Sequence, residues 1–338
     1  MAMKSAGQTD RAIARALNRS PSTISRELSR NGHRSPSDLP FMGRPRLPYD
    51  AVRAGNRARR LAREPRRERK LSRESLLWQH VHSLLLKGWS PQQISRTLHR
   101  HHPGNDEWHV SHETIYTAIY ALPRGELRRG VVALLRQHKC ARRPRGQGSN
   151  RRGQMHDLPS IHIRPPEADE RILPGHWEGD FIKGTRNRSS VGVLVDRSTL
   201  FLKLVKLNGC SASDALEGFS KAFSAVPKEA RRTLTYDQGK EMALHKTLSE
   251  RTGLQIFFAD PRSPWQRGIC ENTNGLIRQY LPKSSDLSIY SQKQLDEIAA
   301  RLNLRPRASL GFHSPAEVFL RKLGHHELAQ QIDDALLS

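Results

Sequence analysis

The sequence predicts a protein of several domains, in which all-α units come first and a mixed α/β domain follows. Its 338 residues are enough for two or three domains of ordinary size. Helical periodicity dominates up to about residue 137, whereas strand-like and helix-like segments alternate after about residue 160. Between these regions, residues 138–154 are rich in Gly, Pro and Arg, which is typical of a flexible linker. The main domain boundary is therefore expected within this linker.

Positive charge is concentrated in the N-terminal part. The net charge is +24, and residues 1–150 hold 30 basic and 11 acidic residues against 27 and 22 in residues 151–338. This imbalance indicates binding of a polyanion by the first half of the chain. The second half has the charge balance of an ordinary globular domain.

Several classes of protein are excluded by composition. No apolar run approaches the 18 residues of a membrane span, and we expect no secretory signal because the first 30 residues lack an apolar stretch. The three cysteines are far apart, so neither a disulfide framework nor a CxxC zinc site is expected, and a cytoplasmic compartment fits. Three nearby histidines, His99, His101 and His102, are interpreted as part of a solvated, phosphate-facing segment rather than as a metal site.

A pair of short helices separated by a polar turn is predicted at residues 9–30. Ile13 and Leu17 lie four residues apart, as do Ile24 and Leu28, and Ser20 is a suitable N-cap. This pattern favours a helix-turn-helix over a generic helical pair because the second helix exposes short hydrogen-bond donors and arginines. The predicted DNA contacts of this helix are Ser22, Thr23, Arg26 and Arg30.

A strongly basic segment follows the predicted helix-turn-helix. Nine of the 17 residues from Arg57 to Arg73 are Arg or Lys. Such a run is usually a solvated linker, but this one joins two helical units, and we expect it to follow the phosphate backbone. The predicted phosphate contacts are Arg57, Arg59, Arg60, Arg63, Arg66 and Arg67.

A second helical unit is predicted from about residue 74. Its first helix carries an apolar stripe of Leu76, Leu77, Val81, Leu84 and Leu85. Residues 90–93 have the pattern of a capping box, and Ser111 opens a further helix with Ile115, Ile119 and Leu122 on its inner face. The unit is expected to bind DNA or to dimerise.

Strands and helices alternate in the order βββαβαβα after the linker. Strands are predicted at 176–184, 189–200, 201–207, 231–239 and 255–259, and helices at 211–226, 241–252 and 264–280. This order predicts a mixed sheet with helices on its faces. The chain from residue 291 onward is predicted to be helical.

Three acidic residues in this domain are candidates for chemistry. Asp180 lies inside an otherwise apolar strand, Asp237 lies where a strand ends, and Glu271 lies on the helix after residue 264. Acidic residues are depleted in strands unless they have a role. Asp237 could instead be a turn residue, and Glu271 a surface charge.

The segments around these acids carry a resemblance to a known family. GHWEGDFIKG, LTYDQGKE and RGICENTNGLIRQYLPK closely resemble the three catalytic blocks of the DDE transposases of the insertion-sequence-30 family. The 33 residues between Asp237 and Glu271 match that family's spacing. SPSTISREL resembles its helix-turn-helix and RPRASLGFHSPAEVF its C-terminal block, so the resemblance covers nearly the whole chain.

The resemblance implies a ribonuclease-H-like catalytic core. It implies that Asp180, Asp237 and Glu271 form the catalytic triad and hold two Mg²⁺ ions, for which Mn²⁺ can substitute. Clustered carboxylates suit these hard cations and not Zn²⁺. The family implies a homo-oligomer assembled on DNA, because two element ends must be brought together.

Neighbouring residues have weaker predicted roles. Three side chains are expected to support the triad or to contact phosphate: Glu178, Asn274 and Arg278. Asp196 is predicted to be a hairpin-turn residue rather than a ligand. Trp265 could stack on a flipped base, but packing in the core is the preferred interpretation.

The predicted domains follow from these assignments. They are a helix-turn-helix unit at 1–40, a basic arm at 41–73, a helical DNA-binding or dimerisation unit at 74–137, a basic linker at 138–160, a catalytic core at 161–285 and a C-terminal helical region at 286–338.

The sequence thus predicts a bacterial transposase that binds the terminal inverted repeats of its own element, cuts DNA and joins the freed 3′-OH to target DNA. Its partner would be double-stranded DNA in the nucleoid, with no membrane. The alternatives are a DNA-binding regulator with an inactive core and a structure-specific nuclease of the same fold. The intact acids argue against the first, and the two DNA-binding units against the second.

The start of the chain departs from the family pattern. Relatives usually carry a further helical stretch before the segment that matches Gly7 onward, so we expect a misassigned start codon or a truncated element. Residues 1–8 supply at most one turn, and the first helical unit is then expected to be loosely held unless the basic arm or a partner subunit covers it.

Overall fold

The computed structural model describes residues 3, 6–31, 49–63, 70–72, 74–122, 158–185, 188–261, 263–283 and 285–336. The chain divides into two compact units, Met1–Lys70 and Leu71–Ser338. Within the described ranges, no helix is long and apolar enough to cross a membrane.

The first unit contains two short capped helices, α1 (Asp10–Ala16) and α2 (Pro21–Arg30). The Thr9 and Ser20 side chains accept hydrogen bonds from main-chain N–H groups at the start of each helix. Ile13 is buried, whereas Leu17, four residues further on, is 55% exposed. Leu17 is the C-cap of α1, so its side chain no longer follows the helical repeat.

A third helix of the first unit comes from the basic segment. Helix α3 spans Ala51–Arg63 and buries Ala54. Just before it, the Tyr49 hydroxyl donates to the Glu27 carboxylate on α2, and within it Arg57 Nη1 donates to the Arg30 carbonyl at 2.7 Å. The basic arm therefore supplies contacts to α2, whose Ile24 and Leu28 are half-buried.

Three helices open the second unit: α4 (Leu76–Leu86), α5 (Pro91–His101) and α6 (His112–Ala121). The predicted capping box is confirmed, since Ser90 Oγ accepts from the Gln93 N–H and Gln93 Oε1 accepts from the Ser90 N–H. The predicted inward residues are buried except Leu76, which is 75% exposed. Leu76 is the first residue of α4, and Trp78 fills the core position in its place.

A five-stranded sheet forms the centre of the second unit. Its strands are β1 (His176–Lys183), β2 (Ser190–Asp196), β3 (Leu202–Lys206), β4 (Thr233–Tyr236) and β5 (Gln255–Phe258), in the spatial order β3-β2-β1-β4-β5. β1 is antiparallel to β2 and parallel to β4, and β4 is parallel to β5. β2 is the one strand of the five that runs antiparallel to the others. This is the arrangement of a ribonuclease-H-like core, as predicted.

Helices cover both faces of the sheet. A short helix α7 (Glu167–Glu170) precedes β1, α8 (Ala212–Ser224) and α9 (His245–Thr252) belong to one apolar layer, and α10 (Gly268–Ile277) and α11 (Gln292–Asn303) belong to the other. The helix predicted at 264–280 is shorter, because Pro264–Arg267 forms a 3₁₀ turn before α10. Asp196 is a hairpin-turn residue as predicted: it is buried and accepts from the main-chain N–H groups of Ser198 and Thr199.

Two C-terminal helices, α12 (Pro315–Lys322) and α13 (His326–Ala335), return to the helices at the start of the second unit. Arg100 on α5 makes a paired salt bridge with Asp333 on α13, with Nη1 2.8 Å from Oδ2. His101 Nε2 lies 3.0 Å from the same carboxylate. The predicted phosphate-facing histidine segment is therefore wrong at His101, which folds back onto α13, and at His102, whose ring stacks on Trp108.

Candidate active site

Parallel pairing of β1 with β4 brings Asp180 and Asp237 side by side. In this pair Glu178 is opposite Thr235, and each aspartate lies two residues further along its own strand direction. Gly179 lets the strands approach, because a Cβ there would lie 2.6 Å from the Tyr236 ring. Asp180 on β1 and Asp237, which directly follows β4, therefore lie side by side at one edge of the site.

Arg267 bridges the two aspartates. Its Nη1 lies 3.5 Å from Asp180 Oδ1, and its Nη2 lies 3.3 Å from Asp237 Oδ2. Nη1 also donates to the Gly179 carbonyl at 3.1 Å, which fixes the guanidinium against β1. Sequence reasoning missed this residue, although its place four residues before Glu271 is one helical turn away and could have indicated it.

Helix α10 presents a further polar face to the aspartates. Asn274 Nδ2 donates to Asp180 Oδ2 at 2.7 Å. Arg267 and Asn274 lie seven residues apart, about two helical turns, and both contact Asp180. Glu271 lies between them in the sequence and is exposed. Asn274 lies three residues after Glu271, about one turn of α10, and the approach of Glu271 to the two aspartates stays a prediction.

The electrostatics of the site favour a bound cation. Burial raises the pKa of the Asp180 carboxyl, Arg267 opposes this rise, and the negative charge of Asp237 adds to it. Asp237 Oδ1 and Asn274 Oδ1 are buried oxygens that have no hydrogen-bond partner among the described residues. Oxygen atoms of this kind are the ligands that Mg²⁺ and Mn²⁺ prefer, so the donor set fits these metals.

Glu178 lies under the site rather than in it. Its carboxylate is fully buried, with Oε1 paired to Arg197 Nη1 and Oε2 accepting from the Cys270 N–H at 2.9 Å. Cys270 is in the first turn of α10, so Glu178 caps the helix that carries Glu271. Burial raises the pKa of Glu178, and the positive charge of Arg197 opposes that rise.

Arg278 contacts main-chain carbonyls near the end of α10. Its Nη2 donates to the Lys183 carbonyl at 3.0 Å and its Nη1 to the Leu281 carbonyl at 3.3 Å. These bonds join α10 to the end of β1. A phosphate contact by Arg278 stays a prediction.

Trp265 does not pack in the core, so the preferred interpretation of this residue from sequence is wrong. Its side chain is 75% exposed, in the 3₁₀ turn that leads to Arg267 and α10. The neighbouring Gln266 holds that turn by hydrogen bonds to Asp260. The turn is thus fixed while its tryptophan faces solvent.

The predicted DNA-contacting residues of the first unit lie on α2 and α3, and the side chains of Ser22, Thr23, Arg26, Arg30, Arg57, Arg59 and Arg60 are exposed. On α2, Ser22 and Thr23 lie within hydrogen-bond distance of the capping Ser20 Oγ, and Arg26 Nε donates to the Ser22 carbonyl. The arginines of the arm that lie on the described part of α3 are Arg57, Arg59, Arg60 and Arg63. Arg66 and Arg67 lie outside the described residues.

Comparison with known proteins places the chain in a family. A model described as a helix-turn-helix domain matches residues 1–31. The transposase for insertion sequence element IS1086 of Cupriavidus metallidurans is 50% identical over 93% of this chain and 90% of its own length. Transposase InsI for insertion sequence element IS30A of Escherichia coli is 41% identical over 94% of this chain and 80% of its own length. The chain belongs to the insertion-sequence-30 family of DDE transposases.

The transposase is accordingly a polynucleotidyl transferase that binds DNA, and the matched helix-turn-helix domain contains α1 and α2. Part of the chain is also similar to the catalytic core domain of BIV integrase, with a TM-score of 0.35 and 16% identity over 44% of this chain and 96% of that one.

Proposed function

We propose that this transposase binds the terminal inverted repeats of its element, cuts a DNA strand there and joins the freed 3′-OH to target DNA. In this proposal Asp180, Asp237 and Glu271 are the catalytic carboxylates. The observation that supports it most is the pairing of β1 with β4, which sets Asp180 beside Asp237 under the helix that carries Glu271.

The three carboxylates would hold two Mg²⁺ ions, and Mn²⁺ would substitute. When bound, these ions supply activation of the attacking oxygen and stabilisation of the leaving oxygen. Two observations support this assignment. Burial disfavours the ionised form of Asp180 unless a cation is near, and Asp237 Oδ1 has no hydrogen-bond partner among the described residues.

The protein's own residues orient the carboxylates. Asn274 and the Phe181 N–H each donate to a different oxygen of Asp180, at 2.7 and 2.9 Å, which fixes that side chain on β1. Arg267 balances the charge of the aspartates from the start of α10. Glu178 holds the first turn of α10 and thereby sets the position of Glu271.

DNA binding is assigned to two parts of the first unit. Side chains on α2 would contact base edges, and the arginines of α3 would contact phosphates. The helices α4–α6 would bind DNA or join two copies, and the active assembly would be a homo-oligomer that holds two element ends. We place this reaction in the bacterial cytoplasm, at nucleoid DNA.

The test is cleavage of a labelled duplex that ends in the inverted repeat flanking the gene, compared with an RNA–DNA hybrid and a four-way junction. With Mg²⁺ we expect cleavage of the end duplex alone, and none after chelation by EDTA. Asp237→Asn should lower cleavage about a thousandfold or more while end binding in a gel-shift assay persists.

A matched control is Glu297→Gln, which neutralises an exposed glutamate on α11 in the same way that Glu271→Gln does on α10. Only Glu271→Gln should abolish cleavage. Retained cleavage by Asp237→Asn would refute the triad, cleavage in EDTA would refute the metal assignment, and preferred cleavage of the junction or hybrid would identify a structure-specific nuclease.

A further inference from the structure

The turn between β5 and α10 is held at both of its ends. At one end, Gln266 Oε1 accepts from the Asp260 N–H and Gln266 Nε2 donates to Asp260 Oδ2, both at 2.7 Å. The Asp260 carboxylate is also 2.8 Å from His162 Nε2. At the other end, Arg267 is fixed to β1 by the Gly179 carbonyl and the two aspartates.

Trp265 projects from this anchored turn. Its side chain is 75% exposed, whereas Trp177, Trp78 and Trp89 in the same unit are buried. Exposure of so large an apolar ring has a free-energy cost in water, and the backbone around it gives it little freedom to fold away. Its position is two residues before Arg267, which touches both Asp180 and Asp237.

We propose that Trp265 is a stacking surface for a DNA base next to the phosphodiester that is cut. The Asp180 side chain is 24% exposed, so a phosphodiester of the DNA has to come close to a partly buried carboxylate. Local unpairing of the adjacent bases allows this, and an aromatic ring that stacks on an unpaired base compensates for the lost pairing. Every base has an aromatic face, so the contact would position the strand without reading its sequence.

This inference rests on the proposed cutting of DNA at Asp180 and Asp237, but the contact can be tested without catalysis. The probe is the end duplex with 5-iodouracil at each of the three positions on either side of the cut, bound to Asp237→Asn protein in EDTA. Irradiation crosslinks iodouracil to an aromatic ring that stacks on it, and peptide mapping identifies the residue. We expect a crosslink to Trp265 that Trp265→Ala removes and Trp265→Phe retains.

Cleavage is then measured with Mg²⁺ in proteins that keep Asp237. Trp265→Ala should slow cleavage roughly 5- to 100-fold, and Trp265→Phe should recover most of the rate. A substrate with unpaired bases at the cut should reduce the defect of Trp265→Ala, since unpairing no longer has to be compensated. The control is Ile289→Ala, which removes another exposed apolar side chain of this unit (72% exposed) and should change neither readout.

Two outcomes would overturn the stacking role: a crosslink that maps to other residues and survives Trp265→Ala, or cleavage by Trp265→Ala at the wild-type rate. Failure of the wild-type protein to cleave any end duplex would instead refute the proposed function. In that case the crosslink still decides whether Trp265 contacts a base.

Discussion

At the scale of single residues, Asp180 on β1 lowers the stability of the metal-free fold and is at the same time suited to bind a metal ion. Asp180 is placed by its strand in a largely buried position beside a second acid, and burial raises its pKa despite the nearby guanidinium of Arg267. A native state that holds such a carboxylate is less stable when the group is ionised. Because a bound cation would stabilise the ionised form, the Asp180 carboxylate is also a suitable metal ligand.

Asp180→Asn should therefore abolish cleavage and stabilise the metal-free fold. Because the native pKa lies above the unfolded one, the wild-type protein loses stability as the pH rises from the ordinary aspartate pKa through the raised value. The variant should unfold at a higher temperature at pH 7.5, by a few degrees, and the difference should be smaller at pH 4.5, which is closer to the ordinary aspartate pKa. Thermal unfolding in EDTA at both pH values measures this. If the unfolding temperatures of the wild-type protein and Asp180→Asn differ by the same amount at both pH values, ionisation of Asp180 is not the cause of the difference.

At the scale of elements, helix α10 depends on a buried ion pair for its position. The Glu178 carboxylate joins the Cys270 N–H at the start of α10 to Arg197, which in turn donates to the Ala168 carbonyl at 2.9 Å. Three separate segments thus meet at one carboxylate. The removal of one partner would leave the other charge buried and unpaired.

Glu178→Ala should destabilise the protein by about 3–5 kcal/mol and Glu178→Gln by less, since the amide oxygen can still accept from the main chain. Urea unfolding measures the loss. The matched control is Glu271→Gln on the same helix, whose exposed side chain should change stability by no more than about 0.5 kcal/mol. Equal stability of Glu178→Ala and the control would show that Glu178 does not fix α10.

Helix α3 is the element that carries the arm's described arginines. The side chains of Arg57, Arg59 and Arg60 are all exposed, and Arg57 also donates to the Arg30 carbonyl. Replacement of both Arg59 and Arg60 by Gln should weaken binding to all duplexes alike. The slope of log affinity against log salt should flatten by about two.

Salt titrations with an end duplex and an unrelated duplex test this prediction. The control is Arg301→Gln, an exposed arginine on α11. A loss confined to the end duplex would show that α3 reads bases.

At the scale of the whole second unit, its C-terminal helices tie the first helices to the α/β core. Gln93 Nε2 donates to the Pro306 carbonyl at 2.7 Å, and Arg100 and His101 contact Asp333. The Gly88 backbone leaves room for the buried Arg305, since a Cβ there would lie 2.5 Å from Arg305 Nη2. These contacts make α4–α6 and the catalytic sheet one packed body.

Asp333→Asn should loosen this junction and cost about 1–3 kcal/mol, whereas Asp334→Asn on the exposed side of α13 should have little effect. Burial raises the pKa of Asp333, but the hydrogen bonds and charge of Arg100 outweigh it and lower the pKa overall. Its contribution is therefore present at neutral pH and lost as the pH falls through the lowered value. Burial lowers the pKa of His101, so protonation of this residue below the ordinary histidine range also opposes folding.

Hydrogen exchange of the α5 and α13 amides measures the junction. We expect lower protection, relative to the intrinsic exchange rate at the same pH, in Asp333→Asn and, for the wild-type protein, after acidification. Equal exchange in Asp333→Asn and Asp334→Asn would show that the salt bridge does not hold the two parts together.

The amino-acid sequence alone determined the features that depend on neighbouring residues and on order along the chain. Ser20 and Ser90 begin their helices because a capping side chain acts within three residues, and the strand and helix order followed from local periodicity. All three acids could be named from position: Asp180 lies inside an apolar strand, Asp237 lies at the end of one and Glu271 lies on the helix that follows. The family resemblance then gave them a catalytic role.

Only the tertiary structure decided which distant residues meet. Arg267 binds the Gly179 carbonyl across 88 positions and Arg100 binds Asp333 across 233, and no local pattern predicts either contact. The same holds for exposure: Leu76 and Trp265 are apolar residues that were predicted to pack inward, yet both face solvent. The burial of a side chain depends on what packs over it, and that is settled only when the elements assemble.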